Sequence, residues 1–135
     1  MALFLSKKIS RFLVVMAAVV LTACSAPKTP KTSMDHHAGA TFTGLSSWYG
    51  RAFNGRRTAS GERFNMHKLT AAHKTLPFGT VLEVTNLAND KTVLVTVNDR
   101  GPFVKNRVLD LSYGAAKVLG FAGAGTAQVR ARVVE

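Results

Sequence analysis

Apolar and polar residues alternate with a period of two along much of the chain after residue 80, which is typical of half-buried β-strands. In the stretch 92–98, Val93, Val95 and Val97 fall on one face, and we expect this face to line a core. Turn residues at 87–91 separate two alternating stretches and predict a hairpin. The predicted strands are 43–49, 69–73, 80–86, 92–98, 107–111 and 127–133.

One short helix is predicted between the last two strands. Ser112 is a suitable N-cap, the helix would run through Leu119, and Gly120 is a suitable stop. Six short strands and one helix in residues 41–135 fit a small closed barrel, because closure removes the edges that an open sheet exposes. The periodicity by itself leaves the topology of the barrel open.

The first 23 residues have a different character and predict an export signal. Lys7, Lys8 and Arg11 precede an apolar run at 12–21 that is too short to span a bilayer comfortably as a mature helix. Small residues then lead directly into Cys24, the only cysteine. This order resembles a bacterial lipobox, in which the cysteine is acylated after cleavage.

The lipobox predicts a membrane-anchored protein on the periplasmic side of the cell envelope. Ser25 follows the cysteine in place of the aspartate typical of inner-membrane retention, so we expect the outer membrane. Residues 24–40 contain two prolines, are otherwise mostly small and polar, and predict a flexible tether to the barrel domain at 41–135. A single cysteine excludes a disulfide within the chain.

The charge balance predicts an anionic partner. The chain has 18 Lys and Arg against 7 Asp and Glu, a formal net charge of +11, and still +8 without the three basic residues of the signal. For an exported, lipid-anchored domain, this partner is expected to be cell wall or lipid and not nucleic acid.

Three ionisable residues stand at the boundaries of predicted elements. Glu62 follows a glycine in a polar loop, His73 ends a short apolar stretch, and Asp99 follows the strand 92–98. Directly after Asp99, Gly101 and Pro102 predict a turn, and strand ends that lead into turns hold exposed groups in fixed positions. In a small barrel, all three side chains could converge on one rim.

Five short segments occur in a fixed order along the chain: 47–50 (SWYG), 57–64 (RTASGERF), 69–80 (LTAAHKTLPFGT), 98–103 (NDRGPF) and 110–112 (DLS). Together they resemble the successive motifs of the rare lipoprotein A family, over about residues 44–134. The resemblance implies a double-psi β-barrel, related in fold to expansins and to one class of lytic transglycosylases, that acts on bacterial peptidoglycan.

The resemblance also implies a reaction and its residues. Such a lyase cuts the β-1,4 bond between N-acetylmuramic acid and N-acetylglucosamine without water and leaves a 1,6-anhydromuramyl end. The family's catalytic positions fall on Glu62, His73 and Asp99. Because the muramyl 6-hydroxyl replaces an external nucleophile, one acid/base group can suffice. We assign this role to Asp99, with Glu62 as the alternative, and expect His73 to orient a carboxyl group or bind the sugar.

The residues expected to bind substrate lie near these positions: Trp48, Tyr49, Arg63, Lys74 and Arg100. Neighbouring strand residues point to opposite faces, so at most one of the two aromatic residues is expected to face the glycan. No cofactor and no metal is expected, since the resemblance asks for neither.

Four further residues are expected to be structural. Asp110 precedes the helix, where a hydrogen-bonding role is favoured over participation in the site. Phe64, Phe78 and Phe103 are expected to pack against loops and fix them.

An expansin-like module that binds and loosens wall polysaccharide without cleaving it is the alternative function. Occupation of all three catalytic positions favours the enzyme. Many family members carry a peptidoglycan-binding domain after the barrel that recruits them to the division septum, whereas this sequence stops at Glu135 with the last predicted strand. The resemblance therefore leaves septal recruitment and processive action open, and division-protein partners are possible but have no residue-level support.

Overall fold

The computed structural model describes residues 37–135. The predicted signal at 1–23, Cys24 and the tether as far as residue 36 lie outside the described residues. The strands are β1 (Thr41–Tyr49), β2 (Thr70–Ala72), β3 (Val81–Asn86), β4 (Thr92–Asp99), β5 (Arg107–Ser112) and β6 (Thr126–Val133). Helix α1 covers Tyr113–Leu119, and a short 3-10 turn covers Arg51–Phe53.

The six strands close into a barrel in the order β1-β5-β2-β4-β3-β6. β1 runs parallel to β5 and β2 parallel to β4, whereas the remaining neighbours are antiparallel. The predicted hairpin is confirmed as the β3–β4 pair. Neither parallel pair is formed by strands that follow each other in the chain, as expected because parallel neighbours need long connections.

The barrel interior is built from the alternating positions that the sequence predicts. Val93, Val95 and Val97 of β4 are buried, while Leu94 between them is exposed. Equivalent positions of the other strands complete this core: Leu82, Val84, Leu109, Leu111, Val129, Ala131 and Val133. The clean alternation follows because one face of each strand points into the closed barrel and the other toward solvent.

Helix α1 packs three buried residues, Ala115, Ala116 and Leu119, against the barrel. The predicted caps are confirmed. The Ser112 hydroxyl accepts a hydrogen bond from the backbone N–H of Ala115, and Gly120 takes a left-handed conformation with φ of 79°. Within residues 37–135, no helix is long and apolar enough to cross a membrane.

Some strand ends differ from the prediction. β1 begins at Thr41, two residues earlier, and β4 includes Asp99, which was expected to follow the strand. The added pairing explains the second difference, because Asp99 pairs with Ala72 of β2 and its carbonyl accepts a hydrogen bond from the backbone N–H of His73 at 3.2 Å. The catalytic candidate therefore belongs to the sheet itself.

The start of α1 is held close to the segment at residues 66–67, and this contact yields a stability prediction. A methyl group on Gly114 would lie 2.6 Å from the carbonyl oxygen of His67. Gly114→Ala should lower the free energy of unfolding by up to about 2 kcal/mol, because overpacking costs about 1–3 kcal/mol and the gain in helix propensity offsets about 1 kcal/mol of it. Urea unfolding measures this loss.

Gly123→Ala is the matched control, since a methyl group at Gly123 meets no atom within 4 Å. The control should leave the free energy of unfolding unchanged or slightly raised. Equal stability of the two variants would contradict the close approach of His67 to the helix.

Candidate active site

A cleft of about 500 Å³ opens at one end of the barrel. Its floor contains a row of four paired residues from four adjacent strands: Ser47 of β1 pairs with Asp110 of β5, Asp110 with Ala72 of β2, and Ala72 with Asp99 of β4. All four line the cleft. Asp99 and Asp110 therefore lie two strand spacings apart, about 9–10 Å between their Cα atoms, with only a methyl group between them.

The carboxyl group of Asp99 is oriented by the backbone. Its Oδ1 accepts hydrogen bonds from the N–H of Ala59 at 2.9 Å and from the N–H of Arg100 at 2.8 Å. The register between β2 and β4 shifts by one residue just before Asp99, so Asn98 is an extra residue of β4. Such an irregularity next to a site changes the direction of the following side chain. Oδ2 is left as the oxygen available for proton transfer.

Glu62 lies on the loop that covers the end of β4, outside the cleft lining. The loop is held by the backbone hydrogen bond from Thr58 to the carbonyl of Glu62 at 2.8 Å and by a β-bridge between Arg57 and Arg63. The Glu62 side chain is exposed, and its Oε2 accepts a hydrogen bond from the amide of Asn98 at 3.3 Å. The structure thus brings Glu62 beside the residue that precedes Asp99.

His73 binds the backbone of its own loop. Its Nδ1 accepts hydrogen bonds from the N–H groups of Thr75 and Leu76 at 3.1 and 3.0 Å, and its ring packs on Phe42. Partial burial, with the positive charges of Arg100 and Lys74, lowers the pKa of this imidazole below its ordinary value. The neutral ring then carries its proton on Nε2.

The three candidates share a neighbourhood without touching through their side chains. Among residues 37–135, no side-chain hydrogen bond joins Glu62, His73 and Asp99, and only Asp99 lines the cleft. The backbone of His73 is nevertheless bonded to that of Asp99. Of the three residues, Asp99 is therefore the one whose side chain a ligand in this cleft could contact.

The two aromatic candidates on β1 are both packed. Trp48 lies against the core, donates its indole N–H to the carbonyl of Ala122 at 3.1 Å, and contacts the ring of Tyr113. Tyr49 stacks on Phe64 with 4.4 Å between ring centroids. Both residues are half-buried and contribute to the cleft lining.

The hydroxyl of Tyr49 is buried beside the two cleft carboxylates. It approaches Asp99 without forming a hydrogen bond of good geometry. Burial raises the pKa of this phenol, and the negative charges of Asp99 and Asp110 raise it further. Tyr49 therefore stays protonated, and its hydroxyl can donate a hydrogen bond to a carboxylate.

The three basic candidates lie in different places. Arg100 lines the cleft, donates to the carbonyls of His73 and Leu76 at 3.3 and 2.8 Å, and lies over the ring of Phe78 at 3.9 Å. Lys74 is exposed in a shallow depression beside the cleft. Arg63 donates to the carbonyl of Gly55 and lies outside both concavities.

Asp110 has a larger part in the cleft than the sequence suggested. The expectation favoured a structural bond before the helix, whereas the structure places the side chain on the cleft floor in an ion pair with Arg107, with 3.1 Å between Nε and Oδ1. Burial raises the pKa of this carboxyl group, and Arg107 opposes the shift. Sequence reasoning missed the position of Asp110 beside Ala72 because the pairing of β5 with β2 is not local.

The expectation that Phe103 packs against a loop is wrong. Its side chain is 88% exposed, because it follows the Gly101–Pro102 turn at a point where no other element lies over it. Phe64, by contrast, is buried as expected.

Within residues 37–135, no three His, Cys, Asp or Glu side chains converge in an arrangement that could hold a metal ion.

Residues 41–131 match the family model described as lytic transglycolase. The chain is also 55% identical over 96 residues to the endolytic peptidoglycan transglycosylase RlpA of Campylobacter jejuni, covering 71% of this chain and 35% of that protein. The chain belongs to the rare lipoprotein A family. The Neisseria meningitidis member is 53% identical over 102 residues, covering 76% of this chain and 41% of that protein. In the comparison with the first, the chain spans only about a third of the relative's length.

Solved structures place this family member among the double-psi barrels. The Streptomyces papain inhibitor superposes with a TM-score of 0.60 at 23% identity, covering 73% of this chain and 97% of that one. An expansin from Clavibacter michiganensis, in complex with cellohexaose, gives 0.57 at 23% identity, covering 70% of this chain and 50% of that one. At this identity the two likenesses show the fold alone.

The environment of His73 predicts its titration. Its pKa should lie below the ordinary value of 6.5, so the imidazole should be neutral at pH 7 with the proton on Nε2. Because the unfolded chain binds the proton more tightly, the stability from this group is complete above pH 6.5 and is lost as the pH falls through the folded pKa. Imidazole resonances followed by NMR against pH test the midpoint.

Lys74→Met should move the midpoint upward, since it removes one of the two nearby positive charges. A midpoint at or above 6.5 in the wild-type protein would contradict the described environment.

Proposed function

We propose that this protein is an endolytic lytic transglycosylase that cuts the β-1,4 bond between N-acetylmuramic acid and N-acetylglucosamine and leaves a 1,6-anhydromuramyl end. The observation that carries the proposal is Asp99 in the cleft lining, with one carboxyl oxygen held by two backbone N–H groups and the buried hydroxyl of Tyr49 close to the carboxyl group. The names of the relatives agree with this reaction.

The reaction needs a proton to move at two oxygens. The muramyl 6-hydroxyl attacks the anomeric carbon C1 of its own sugar, a bond forms between O6 and C1, and the bond from C1 to the glycosidic oxygen breaks. The glycosidic oxygen gains a proton, and the 6-hydroxyl loses one. A single carboxyl group can give the first proton and take the second, so no water is consumed.

Asp99 is the best-placed group for both transfers. A fixed Oδ1 sets the plane of the carboxyl group, and rigid placement is what proton transfer requires. Glu62 is exposed and outside the cleft lining, which supports Asp99 over Glu62 as the acid. Asp110 supplies a second carboxyl group on the far side of Ala72, held in its ion pair with Arg107.

The packing behind Asp99 supports a positioning role for the other two family positions. Glu62 holds Asn98, the residue before Asp99, and His73 binds the loop that receives Arg100. Changes at either residue would act on the reaction by moving Asp99 or Arg100.

The proposal includes the location of the protein. Acylation of Cys24 would anchor it to a membrane, with the barrel on the periplasmic side. The outer membrane is proposed because Ser25, and not an aspartate, follows the cysteine. Peptidoglycan would be the anionic partner that suits the positive charge of the chain. A separate division-protein partner is not part of the proposal.

Digestion of purified glycan strands tests the reaction. The wild-type protein should release fragments that end in 1,6-anhydromuramic acid, identified by mass spectrometry. Asp99→Asn should lower the rate by about a hundredfold or more, because a positioned acid/base contributes about 10²–10⁴-fold. Asp90→Asn is the matched control, since Asp90 is exposed on a turn with φ of 60°, which asparagine also adopts readily.

The outcomes separate the alternatives. Wild-type cleavage by Asp99→Asn would contradict the role of Asp99, and ordinary reducing ends would indicate hydrolysis. Intact strands that still bind the protein would favour the expansin-like loosening module.

The anchor has its own test. After expression of the full chain with its signal in a Gram-negative host, the mature protein should begin at Cys24 and carry the mass of several acyl chains. Cys24→Ser should abolish this mass and release the protein from the membrane fraction. An unmodified mature chain that begins at another residue would contradict the anchor.

A further inference from the structure

Phe103 is exposed in a way that packing does not explain. Phe103 is 88% exposed, more than any other large apolar side chain among residues 37–135. The next most exposed is Leu94, at 54%. One side of the ring rests over Gly101, where an added methyl group would lie 3.6 Å from the nearest ring carbon. The other side faces solvent, so this aromatic ring contributes almost none of its area to folding.

The ring stands between two concavities. On one side is the cleft that contains Asp99, and on the other is a depression of about 420 Å³. Phe103, Val104 and Pro102 line both. The depression adds Lys74 and Lys105 and no carboxyl group, so its polar lining is purely cationic. A ligand that leaves the cleft in this direction crosses the ring and meets two ammonium groups.

We propose that Phe103 is a stacking platform for a sugar ring and forms, with Lys74 and Lys105, a subsite for an amino sugar that bears a carboxylate-containing substituent. This inference rests on the proposed function. Flat faces of sugar rings carry C–H groups that pack well on an aromatic face. A muramyl residue carries a lactyl group that ends in a carboxylate or in a peptide stem with carboxylates, which the two lysines suit.

The packing of the other aromatic side chains points to the same residue. Trp48 and Tyr49 are held in contacts with other rings, and Phe53 has the guanidinium of Arg56 near its ring and the edge of Tyr49 against it. Among the aromatic residues that line the same cleft as Asp99, Phe103 has the most exposed side chain, at 88% against 48% for Phe53, whereas Trp48 and Tyr49 are half-buried. A lipid surface could also cover an exposed Phe and Lys pair, but the continuity with the Asp99 cleft favours the glycan.

Kinetics on glycan strands test the platform. Phe103→Ala should raise KM about tenfold with kcat unchanged, since loss of one stacked sugar removes binding energy that ground state and transition state share. Phe103→Trp should restore KM, whereas Phe103→Leu, which is apolar without an aromatic face, should not. Leu94→Ala, which removes an exposed apolar side chain away from both concavities, should behave as wild type. A wild-type KM for Phe103→Ala would overturn the inference.

The carboxylate part of the subsite has a separate readout. The double variant Lys74→Gln, Lys105→Gln should weaken binding to muramyl-containing strands and remove most of its salt dependence. Binding to an oligomer of N-acetylglucosamine, which has no carboxylate, should be the same for wild type and double variant. Equal salt dependence of the two proteins on muramyl strands would overturn the role of the lysines.

Binding without cleavage separates this inference from the proposed function. Co-sedimentation with glycan strands is measured in the Asp99→Asn background, with and without Phe103→Ala. If wild type cleaves nothing but Phe103→Ala weakens sedimentation, the proposed reaction fails and the subsite stands. If wild type cleaves and Phe103→Ala sediments as well as its parent, the subsite fails and the reaction stands. Loss of binding to phosphatidylglycerol vesicles, with glycan binding intact, would assign the ring to a membrane and overturn the inference.

Discussion

The pairing of Ala72 with Asp99 on one side and Asp110 on the other is the constraint on which the site depends. Strand β2 has only three residues, so its register is set by the buried neighbours of Ala71, namely Val97 and Leu111. A slip of one residue would exchange core and cleft side chains, which the apolar interior forbids. The packing of the core thereby sets the distance between the carboxyl groups of Asp99 and Asp110, which lie outside the core.

Two charged groups at the end of an apolar barrel are costly unless polar partners compensate for lost water. The two carboxyl groups are compensated differently. Asp99 uses backbone N–H groups, which cannot move away, whereas Asp110 uses the side chain of Arg107. The loop at 56–64 supplies one of these N–H groups, that of Ala59. The bridge between Arg57 and Arg63 and the hydrogen bond from Asn98 hold this loop in place, so they contribute to the site.

Local signals predicted the elements well because each depends on neighbours in sequence. Alternation in β4 and the caps Ser112 and Gly120 are of this kind. The order of the strands was open from the periodicity and was predicted only through the family resemblance, as a double-psi barrel. Two features escaped prediction because they depend on residues far along the chain: the extra residue Asn98, and the pairing that brings Asp110 to the cleft. The exposure of Phe103 was also not predicted. A sequence does not show whether another element of the fold covers a given side chain.

In the reaction proposed for this cleft, the substrate brings its own nucleophile, which reduces what the protein has to position. No water has to be positioned between a carboxyl group and the anomeric carbon, so the protein must only orient the sugar and one proton-transfer group. Asp99 is held by the barrel itself, and rigidity there costs no binding energy when the glycan arrives. Orientation of the sugar then falls to the surfaces around the cleft, where an exposed ring can select one face of the glycan and cationic groups can select its substituents.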